Sequence, residues 1–311
     1  MQTQPFHAGE REVQTRVGVA DKMAAVGEKV LRPYLIEQHR AFYAHLPMLL
    51  VASADCRDRL WATALYGEPG FVASPDERTL SVKLSLSASD PLFMQFTKGQ
   101  RYAVLGLEFS SRRRNRANGR VIAASADELV LEVEQSFGNC PKYIVPREIC
   151  AHSPVDAVQP EAISSLLGPV AELISEADTL FIASRAAPAV GSLTEPMAGY
   201  DISHRGGVVG FVHQLDTHTL AFADFRGNNF FNTLGNIMTD TETALLFIDY
   251  QSGDHLHLNG EASLLWADDG PLPVAGYARN VLFRMKSGYW VKQASPYRWA
   301  NTGGGQGDTP A

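Results

Sequence analysis

The spacing of apolar positions changes along the chain and separates a helical start from a long region rich in strands. Residues 13–30 place Val17, Met23 and Val30 near helical spacing, which predicts an amphipathic helix, and residues 35–46 predict a second one. Beyond them, short apolar runs alternate with glycine and proline, as in strands joined by close turns. The predicted strands of the first half are residues 47–54, 60–65, 70–74, 79–84, 102–109, 116–124 and 128–135.

The same alternation of short apolar runs with glycine and proline recurs in the second half, after a stretch without predicted strands. Residues 146–160 are predicted to be a linker, and residues 160–177 a helix that Pro169 divides. A further short helix is expected within residues 229–239. The predicted strands here are residues 178–184, 200–203, 208–215, 220–224, 244–250, 256–265 and 281–291. About six strands per half with little helix indicate barrels rather than a parallel sheet.

Two parts of the sequence resemble each other at a fixed spacing of about 140 residues. The tripeptide at 70–72 recurs at 210–212, and residues 103–119 align without a gap on residues 244–260. A repeat this long indicates duplicated domains, because solenoid repeats are only ~20–50 residues long. The identical pairs in the longer alignment are Ala103 and Ala244, Leu105 and Leu246, Ser111 and Ser252, Asn118 and Asn259, and Gly119 and Gly260.

The repeat and the strand pattern together predict a mainly β fold with flanking helices. We expect two superposable barrels that pack against each other about a pseudo-twofold axis. The predicted divisions are an N-terminal helical segment (1–45), a first barrel (46–150), a linker and helix (151–177), a second barrel (178–300) and a disordered tail (301–311).

Composition limits the classes of function. The 311 residues carry a formal net charge of −7, which gives no support to binding of nucleic acid or an anionic membrane. Three cysteines are too few and too odd in number for a secreted disulfide framework. We expect neither an apolar leader nor a membrane span, because residues 1–11 contain no apolar run and Pro47 and Ser53 interrupt the longest one, residues 46–54. A reduced, cytoplasmic, soluble protein is therefore expected.

The segment DFRGNNFFNTLGN is the strongest candidate for a binding site. A strand ends near Arg226, and three asparagines then open a helix; they are Asn228, Asn229 and Asn232. Free N–H groups at a helix N-terminus beside a guanidinium form a site suited to phosphate. An asparagine cap beside a solvated arginine explains the same residues, so the segment leaves both interpretations open. The corresponding residues 85–91 have no cation, and we expect that turn to be remodelled and empty.

Polar residues alternate along one predicted strand of each barrel. In the second barrel they are His255, His257 and Asn259, which share one face because successive side chains point to opposite faces. Their aligned counterparts in the first barrel are Arg114, Arg116 and Asn118. A polar triplet in both halves favours a ligand-facing surface over a solvated sheet face. A His-x-His pair can bind a metal, but no third ligand is evident, so no metal site is expected.

Three further segments supply candidate donors. Arg205 follows a short strand; by itself its segment is typical of a hairpin tip, but beside the Arg226 segment it is a second candidate cation for the same anion. Residues 112–120 contain five arginines, but the acidic total charge makes a nucleic-acid site the minority interpretation. Residues 136–144 (SFGNCPKYI) end the first barrel with Asn139 and Lys142 as potential donors.

In combination, these segments resemble the pyridoxamine 5′-phosphate oxidase-like family of FMN-binding split barrels. The resemblance is to a two-barrel, pyridoxamine-phosphate-oxidase-related subgroup, and it covers most of residues 6–292. The segments that carry it are 6–10 (FHAGE), 112–120, 136–144, 201–207 (DISHRGG), 226–236 and 244–260.

The resemblance implies that two barrels, here supplied by one chain, hold FMN at their interface. The residues matching the family's phosphate site are Arg205, Arg226, Asn228 and Asn232, while the polar strand with His255, His257 and Asn259 faces the cofactor region. We expect the first barrel to form the far wall through Arg114, Arg116, Asn118, Asn139 and Lys142. The oxidase's C-terminal substrate strand has no counterpart in residues 289–299, so its substrate is not implied.

The sequence thus predicts an FMN-dependent oxidoreductase of unknown substrate, with FAD as the alternative flavin. Its partners would be the flavin and a small-molecule electron donor or acceptor, with no nucleic acid and no membrane. A further homodimer is compatible with the pseudo-dimer. The alternatives are a non-catalytic flavin carrier or sensor and a haem-binding split barrel with His255 or His257 as iron ligand. No residue is assigned as catalytic.

Overall fold

The computed structural model describes residues 4–84, 96–155, 159–186 and 199–303. Three helices come first: α1 (Ala8–Val17), α2 (Ala20–Val30) and α3 (Glu37–Ala44). The single helix predicted over residues 13–30 is wrong, because Gly18 takes the left-handed conformation (φ 76°) and ends α1. The helix begins earlier than predicted, because the His7 side chain accepts from the Gly9 N–H and Glu10 accepts from the His7 N–H.

Seven antiparallel strands form the first barrel. They are β1 (Met48–Ala54), β2 (Leu60–Tyr66), β3 (Val72–Ala73), β4 (Thr79–Lys83), β5 (Arg101–Glu108), β6 (Arg113–Ala124) and β7 (Glu128–Gly138). Their order across the sheet is β2-β1-β5-β6-β7-β4-β3.

The rest of the chain builds a second sheet and a small two-stranded one. The elements are β8 (Arg147–His152), β9 (Pro160–Ile163), α4 (Pro169–Glu176), β10 (Thr179–Arg185), β11 (Tyr200–Gly206), β12 (Val212–Gln214), β13 (Thr219–Ala223), α5 (Asn232–Thr239), β14 (Glu242–Ile248), β15 (His255–Trp266), β16 (Arg279–Val291) and β17 (Tyr297–Asn301). The main order is β11-β10-β14-β15-β16-β13-β12, β9 pairs with β16, and β17 pairs with β8.

The two main sheets have the same topology, since β1 to β7 occupy the positions of β10 to β16 in chain order. A β-bulge also occurs at the same place in both sheets. The strand register changes between Asn118 and Gly119 in the first barrel and between Asn259 and Gly260 in the second. These are two of the identical pairs of the sequence repeat. The prediction of two tandem split barrels is therefore confirmed, with seven rather than six strands on each main path.

An apolar core between the barrels holds them together. Leu50 and Leu105 of the first barrel share a cluster with Phe181 and Leu246 of the second, and all four are completely buried. Burial of one such side chain stabilises a fold by ~1.5–3 kcal/mol. The chain is accordingly a pseudo-dimer whose interface contains an apolar core.

The segment between the barrels differs from the prediction of a helix over residues 160–177. Residues 160–163 are strand β9, and the helix α4 begins only at Pro169, which occupies the first turn where a missing N–H costs nothing. Residue 301 belongs to β17 rather than to the predicted tail. The predicted empty turn at 85–91 and residues 304–311 of the tail lie outside the described residues, and the domain boundaries as a whole stay a prediction.

The β-bulge that both barrels share predicts that a side chain at Gly119 or Gly260 would destabilise the fold. A Cβ added at Gly119 would lie 1.9 Å from the Glu132 carbonyl oxygen, and one at Gly260 would lie 2.1 Å from that of Arg284. Gly119→Ala and Gly260→Ala should each lower the free energy of unfolding by ~1–3 kcal/mol, because backbone must move. Gly227→Ala, with nothing within 4 Å, is the control for urea denaturation. Equal stability of all three variants would show that the bulges tolerate a side chain.

Candidate anion-binding site

A cavity of about 70 Å³ lies where the two barrels meet. The first barrel contributes Arg114 and Arg116 of β6 and the following Asn139 and Cys140. The second barrel contributes the end of β11 and most of the segment 224–234. Seven of the residues predicted from the sequence line this one cavity: Arg114, Arg116, Asn139, Arg205, Asn228, Asn229 and Asn232.

Helix α5 begins at the wall of the cavity. No side chain caps its N-terminus, and its first residues, 232–234, line the cavity. The turn before it is shaped by the Asn228 Oδ1, which accepts from the Phe230 N–H at 3.1 Å. Asn229 and Phe231 both take the left-handed conformation (φ 62° and 59°), which is uncommon outside glycine. The uncapped N–H groups and the helix dipole both favour a negative charge here.

Arg116 connects the two barrels at the base of the cavity. The guanidinium is buried and donates to Asp201 Oδ1 at 2.9 Å, to Asn232 Oδ1 at 3.1 Å and to the Ser203 hydroxyl. Burial lowers the pKa of Arg116, and the carboxylate of Asp201 opposes that effect. The Ser203 hydroxyl also lies 2.7 Å from that of Thr233 in α5. Arg116 of the first barrel thus contacts helix α5 of the second barrel directly.

Arg114 lies beside it and fixes the ring of His204. Its Nε donates to the Cys140 carbonyl at 2.7 Å, and its Nη1 lies 3.1 Å from His204 Nδ1. Because a guanidinium only donates, Nδ1 accepts and Nε2 carries the proton of the neutral imidazole. Burial and the neighbouring Arg114 hold the pKa of His204 well below its usual value. Burial and the adjacent Arg116 lower the pKa of Arg114 to about 9, so Arg114 stays charged at neutral pH.

Positive charge prevails around the cavity. Three arginines line it, namely Arg114, Arg116 and Arg205, together with one carboxylate, Asp224. Asp224 is shared, since it lies 3.2 Å from Arg205 Nη1 and 2.9 Å from Arg279 Nη2. One carboxylate against three guanidinium groups leaves an excess of positive charge on the lining, which favours an anionic ligand.

Four buried nitrogen atoms on lining residues have no hydrogen-bond partner among the described residues. They are Arg116 Nε, His204 Nε2, Arg205 Nε and Asn139 Nδ2. Each is a donor, given the His204 tautomer set by Arg114. Leaving a buried polar group unpaired costs ~1–3 kcal/mol, so each such group in a native fold needs an explanation. The partner that all four lack is a hydrogen-bond acceptor.

The structure places the polar strand of the second barrel elsewhere. His255 Nε2 lies 2.8 Å from the hydroxyl of Tyr66, and His257 Nδ1 lies 2.9 Å from the Ala62 carbonyl. Asn259 donates to the Leu60 carbonyl, also at 2.9 Å. All three residues are buried against β2. They occupy the pseudo-equivalent interface in contact with β2, whereas their counterparts Arg114 and Arg116 line the cavity.

Three other predicted residues also lie outside the lining. Asn118 donates to Gln135 of β7 at 3.1 Å. Lys142 and Arg226 are exposed. The backbone of the Arg226 turn is nevertheless tied to the first barrel, because the Tyr143 hydroxyl donates to the Arg226 carbonyl at 3.1 Å.

Sequence reasoning missed the acidic partners of the site, Asp201, Asp224 and Glu10. The segment 6–10 enters the sequence argument only through the family resemblance. Its spacing of His7 and Glu10 is that of a capping box, which marks a helix start but does not reveal where that helix packs. The contact of Glu10 with Asn232 spans 222 positions of the sequence, so no local pattern could indicate it.

A larger cavity, about 670 Å³, shares no lining residue with the anion cavity. Its buried Arg147 is already paired, 2.6 Å from Asp178 Oδ2, and stacks on the Tyr250 ring at 4.2 Å. Glu176 and Asp249 add negative charge to its lining, and Arg298 adds a further positive charge. Opposite charges are mixed there, so its size alone indicates no class of ligand.

Comparisons with known proteins add little. No protein-family model and no curated protein matches the chain. Two crystal structures of HupZ from Group A Streptococcus resemble part of it. One, of a variant with a histidine replaced by alanine, has 11% identity over 40% of this chain and 98% of its own, with a TM-score of 0.29. The other has 13% identity over 42% and 94%, with a TM-score of 0.28. These likenesses are too weak to carry any property to this chain.

Two negative findings hold for the part of the chain that the structure describes. None of its helices is both long and apolar enough to cross a bilayer. None of its histidine, cysteine, aspartate and glutamate side chains form a group of three that could hold a metal ion.

Proposed function

We propose that this protein binds FMN and that the cavity between β6, β11 and the start of α5 receives its phosphate. The observation that carries the proposal is the set of four buried, unpartnered donors around one cationic cavity. A phosphate offers only acceptor oxygens and carries negative charge, so it complements both properties. The uncapped N-terminus of α5 adds the backbone donors that phosphate sites at helix N-termini use.

The size of the cavity limits which part of the ligand it encloses. At about 70 Å³ it holds a few water molecules, each of which takes ~30 Å³ in the liquid, and so accommodates a phosphate group. Pockets that enclose a whole drug-sized ligand begin at ~300 Å³. The remainder of FMN would therefore lie outside the enclosed part. Phe225 lines the cavity and its ring lies 5.3 Å from that of Tyr143, which provides an aromatic surface there.

Four of the lining side chains have a definite part in this proposal. Arg114, Arg116 and Arg205 neutralise the phosphate, and neutral His204 donates through Nε2. Asp201 holds Arg116 in place without lining the cavity. FMN would supply two-electron redox chemistry when bound. The proposed activity is that of a flavin-dependent oxidoreductase, and the same contacts would serve a carrier that performs no reaction.

The visible absorption spectrum, recorded before and after addition of FMN, tests the proposal. Two flavin bands that shift on binding support it, and loss of those bands with NADH or NADPH supports an oxidoreductase over a carrier. A Soret band would contradict the proposal in favour of haem. The absence of any spectral response to FMN would also contradict it.

The assignment of the phosphate to the cavity predicts unequal effects of two arginine substitutions. Arg205→Gln removes a lining donor and leaves Asp224 paired with Arg279, so FMN affinity should fall about 10-fold or more, the value of one charge-assisted hydrogen bond. Arg226→Ala removes an exposed cation and should cost less than about fivefold. Quenching of flavin fluorescence measures both. A larger loss from Arg226→Ala would place the phosphate on the outer side of the turn.

A further inference from the structure

Helix α1 packs directly on the helix that forms the anion site. A Cβ added at Gly9 would lie 2.1 Å from the Gly235 carbonyl oxygen, and one at Gly235 would lie 2.5 Å from the Glu10 Cα. Two glycines at the crossing therefore let the backbones of α1 and α5 touch. His7 Nε2 lies 2.9 Å from Asn236 Oδ1, and Gln14 donates to the Phe230 carbonyl at 3.1 Å. The N-terminal segment is thus part of the site's framework.

Glu10 of α1 reaches the start of α5. Its carboxyl is buried, accepts from the His7 N–H at 2.9 Å and accepts from Asn232 Nδ2. The other side-chain atom of Asn232, Oδ1, accepts from Arg116 Nη1 at 3.1 Å. A single asparagine therefore joins the carboxyl to a guanidinium that lines the cavity. This network fixes the orientation of the amide, since nitrogen faces the carboxyl and oxygen faces the arginine.

The surroundings of this carboxyl make it a group that can gain and lose a proton. Burial is the main influence and raises the pKa of Glu10 to about 8. The charge of Asp201 raises it further, and the charge of Arg116 lowers it. At the N-terminal cap of α1, the ring nitrogen Nε2 of His7 lies 3.5 Å from Glu10 Oε2. Whether Glu10 is protonated or ionised therefore depends on how much of the positive charge of Arg116 is not compensated by other groups.

We propose that Glu10 is a positioning residue of the anion site and that it binds one proton when an anion occupies the cavity. The inference rests on the proposed function and goes beyond it. A bound phosphate compensates the charge of Arg116 and adds negative potential, both of which disfavour a carboxylate beside Asn232. The proton moves from solvent or buffer to a carboxyl oxygen. By linkage, protonation of Glu10 in turn strengthens anion binding.

The affinity for an anion is expected to decrease as the pH rises through the pKa of Glu10. Above pH 8 the free protein holds Glu10 mainly as carboxylate, so binding must bring in a proton and becomes weaker as pH rises. A single proton limits the decrease to about 10-fold per pH unit. Arg114, whose pKa is lowered to about 9, faces the same cavity and would also weaken binding at high pH. Comparing the pH dependence of anion affinity in the wild-type protein and in Glu10→Gln distinguishes the effect of Glu10 from that of Arg114, because the variant keeps Arg114.

Calorimetry at pH 8 in two buffers with different heats of ionisation measures proton uptake directly. The probes are FMN and sulfate, and neither FMN's phosphate, with a second pKa of ~6, nor sulfate titrates at this pH. We expect the wild-type protein to take up a measurable fraction of one proton and Glu10→Gln to take up much less, only the small share that Arg114, with its pKa of about 9, contributes at pH 8. Glu12→Gln, an exposed change on the same helix, should behave as wild type. Glu10→Met replaces Glu10→Gln if the latter unfolds.

The outcomes separate this inference from the proposed function. Binding of FMN or sulfate by wild-type protein without proton uptake would overturn the role of Glu10 and leave the anion site standing. Uptake by Glu10→Gln as large as that of the wild-type protein would also overturn it, since another group would then carry the proton. Failure of wild-type protein to bind either probe would overturn the proposed function and this inference with it.

Discussion

Replacing Arg116 with methionine should lower the free energy of unfolding by about 3–5 kcal/mol and abolish FMN binding. The side chain is buried and paired with Asp201, which is also buried. Removing the arginine leaves a carboxylate without its counter-charge in the interior, the costly way to break a buried ion pair. Ser203 and Asn232 lose a donor at the same time. Urea denaturation gives the stability, and flavin fluorescence gives the binding.

The double variant Arg116→Met, Asp201→Asn separates the two effects. It removes the unpaired charge, while Ser203 and Thr233 still surround the new amide as they surround the carboxylate. At least half of the lost stability should return, because the pair is replaced by neutral groups. FMN binding should not return. A double variant that binds FMN as wild type would show that Arg116 serves the fold and not the ligand.

The fold could be predicted from the sequence because duplication leaves a repeat that needs no tertiary information. Residues 103–119 and 244–260 form matching hairpins, and the shared Asn-Gly pairs mark the same bulge in each barrel. The ends of helices and the presence of one short strand could not be predicted in this way. Gly18 ends α1 through its backbone conformation, and β9 forms only because β16 offers an edge to residues 160–163. Neither feature follows from the spacing of apolar residues.

The candidate site was partly predictable for the same reason. The repeat correctly paired Arg114 and Arg116 with His255 and His257, and its break at residues 85–91 favoured a single anion site, but it could not indicate that the two histidines are buried against β2 instead of facing that site. One of the two pseudo-equivalent interfaces contains Tyr66, which closes on His255. The other contains Gly206 at the equivalent place, and a Cβ there would meet the Tyr143 carbonyl oxygen at 2.1 Å. Which interface keeps a cavity depends on such contacts between residues far apart in sequence.

FMN should bind at least about 100-fold more tightly than riboflavin, the same molecule without the phosphate. Two charge-assisted hydrogen bonds at ~1.5–3 kcal/mol each correspond to that factor or more. The cavity supplies them from three guanidinium groups, in a site where burial limits screening by salt. Arg205→Gln should reduce this preference at least about 10-fold by weakening FMN alone, because riboflavin has no group to place beside that side chain.

The most direct test of the account is therefore a parallel titration of wild-type protein with FMN and with riboflavin at one pH and salt concentration. The account predicts tight binding of FMN, a preference of about 100-fold or more over riboflavin, and loss of that preference in the Arg116→Met, Asp201→Asn variant. Equal affinities for the two flavins, or a preference that the double variant retains, would contradict a phosphate site between the barrels.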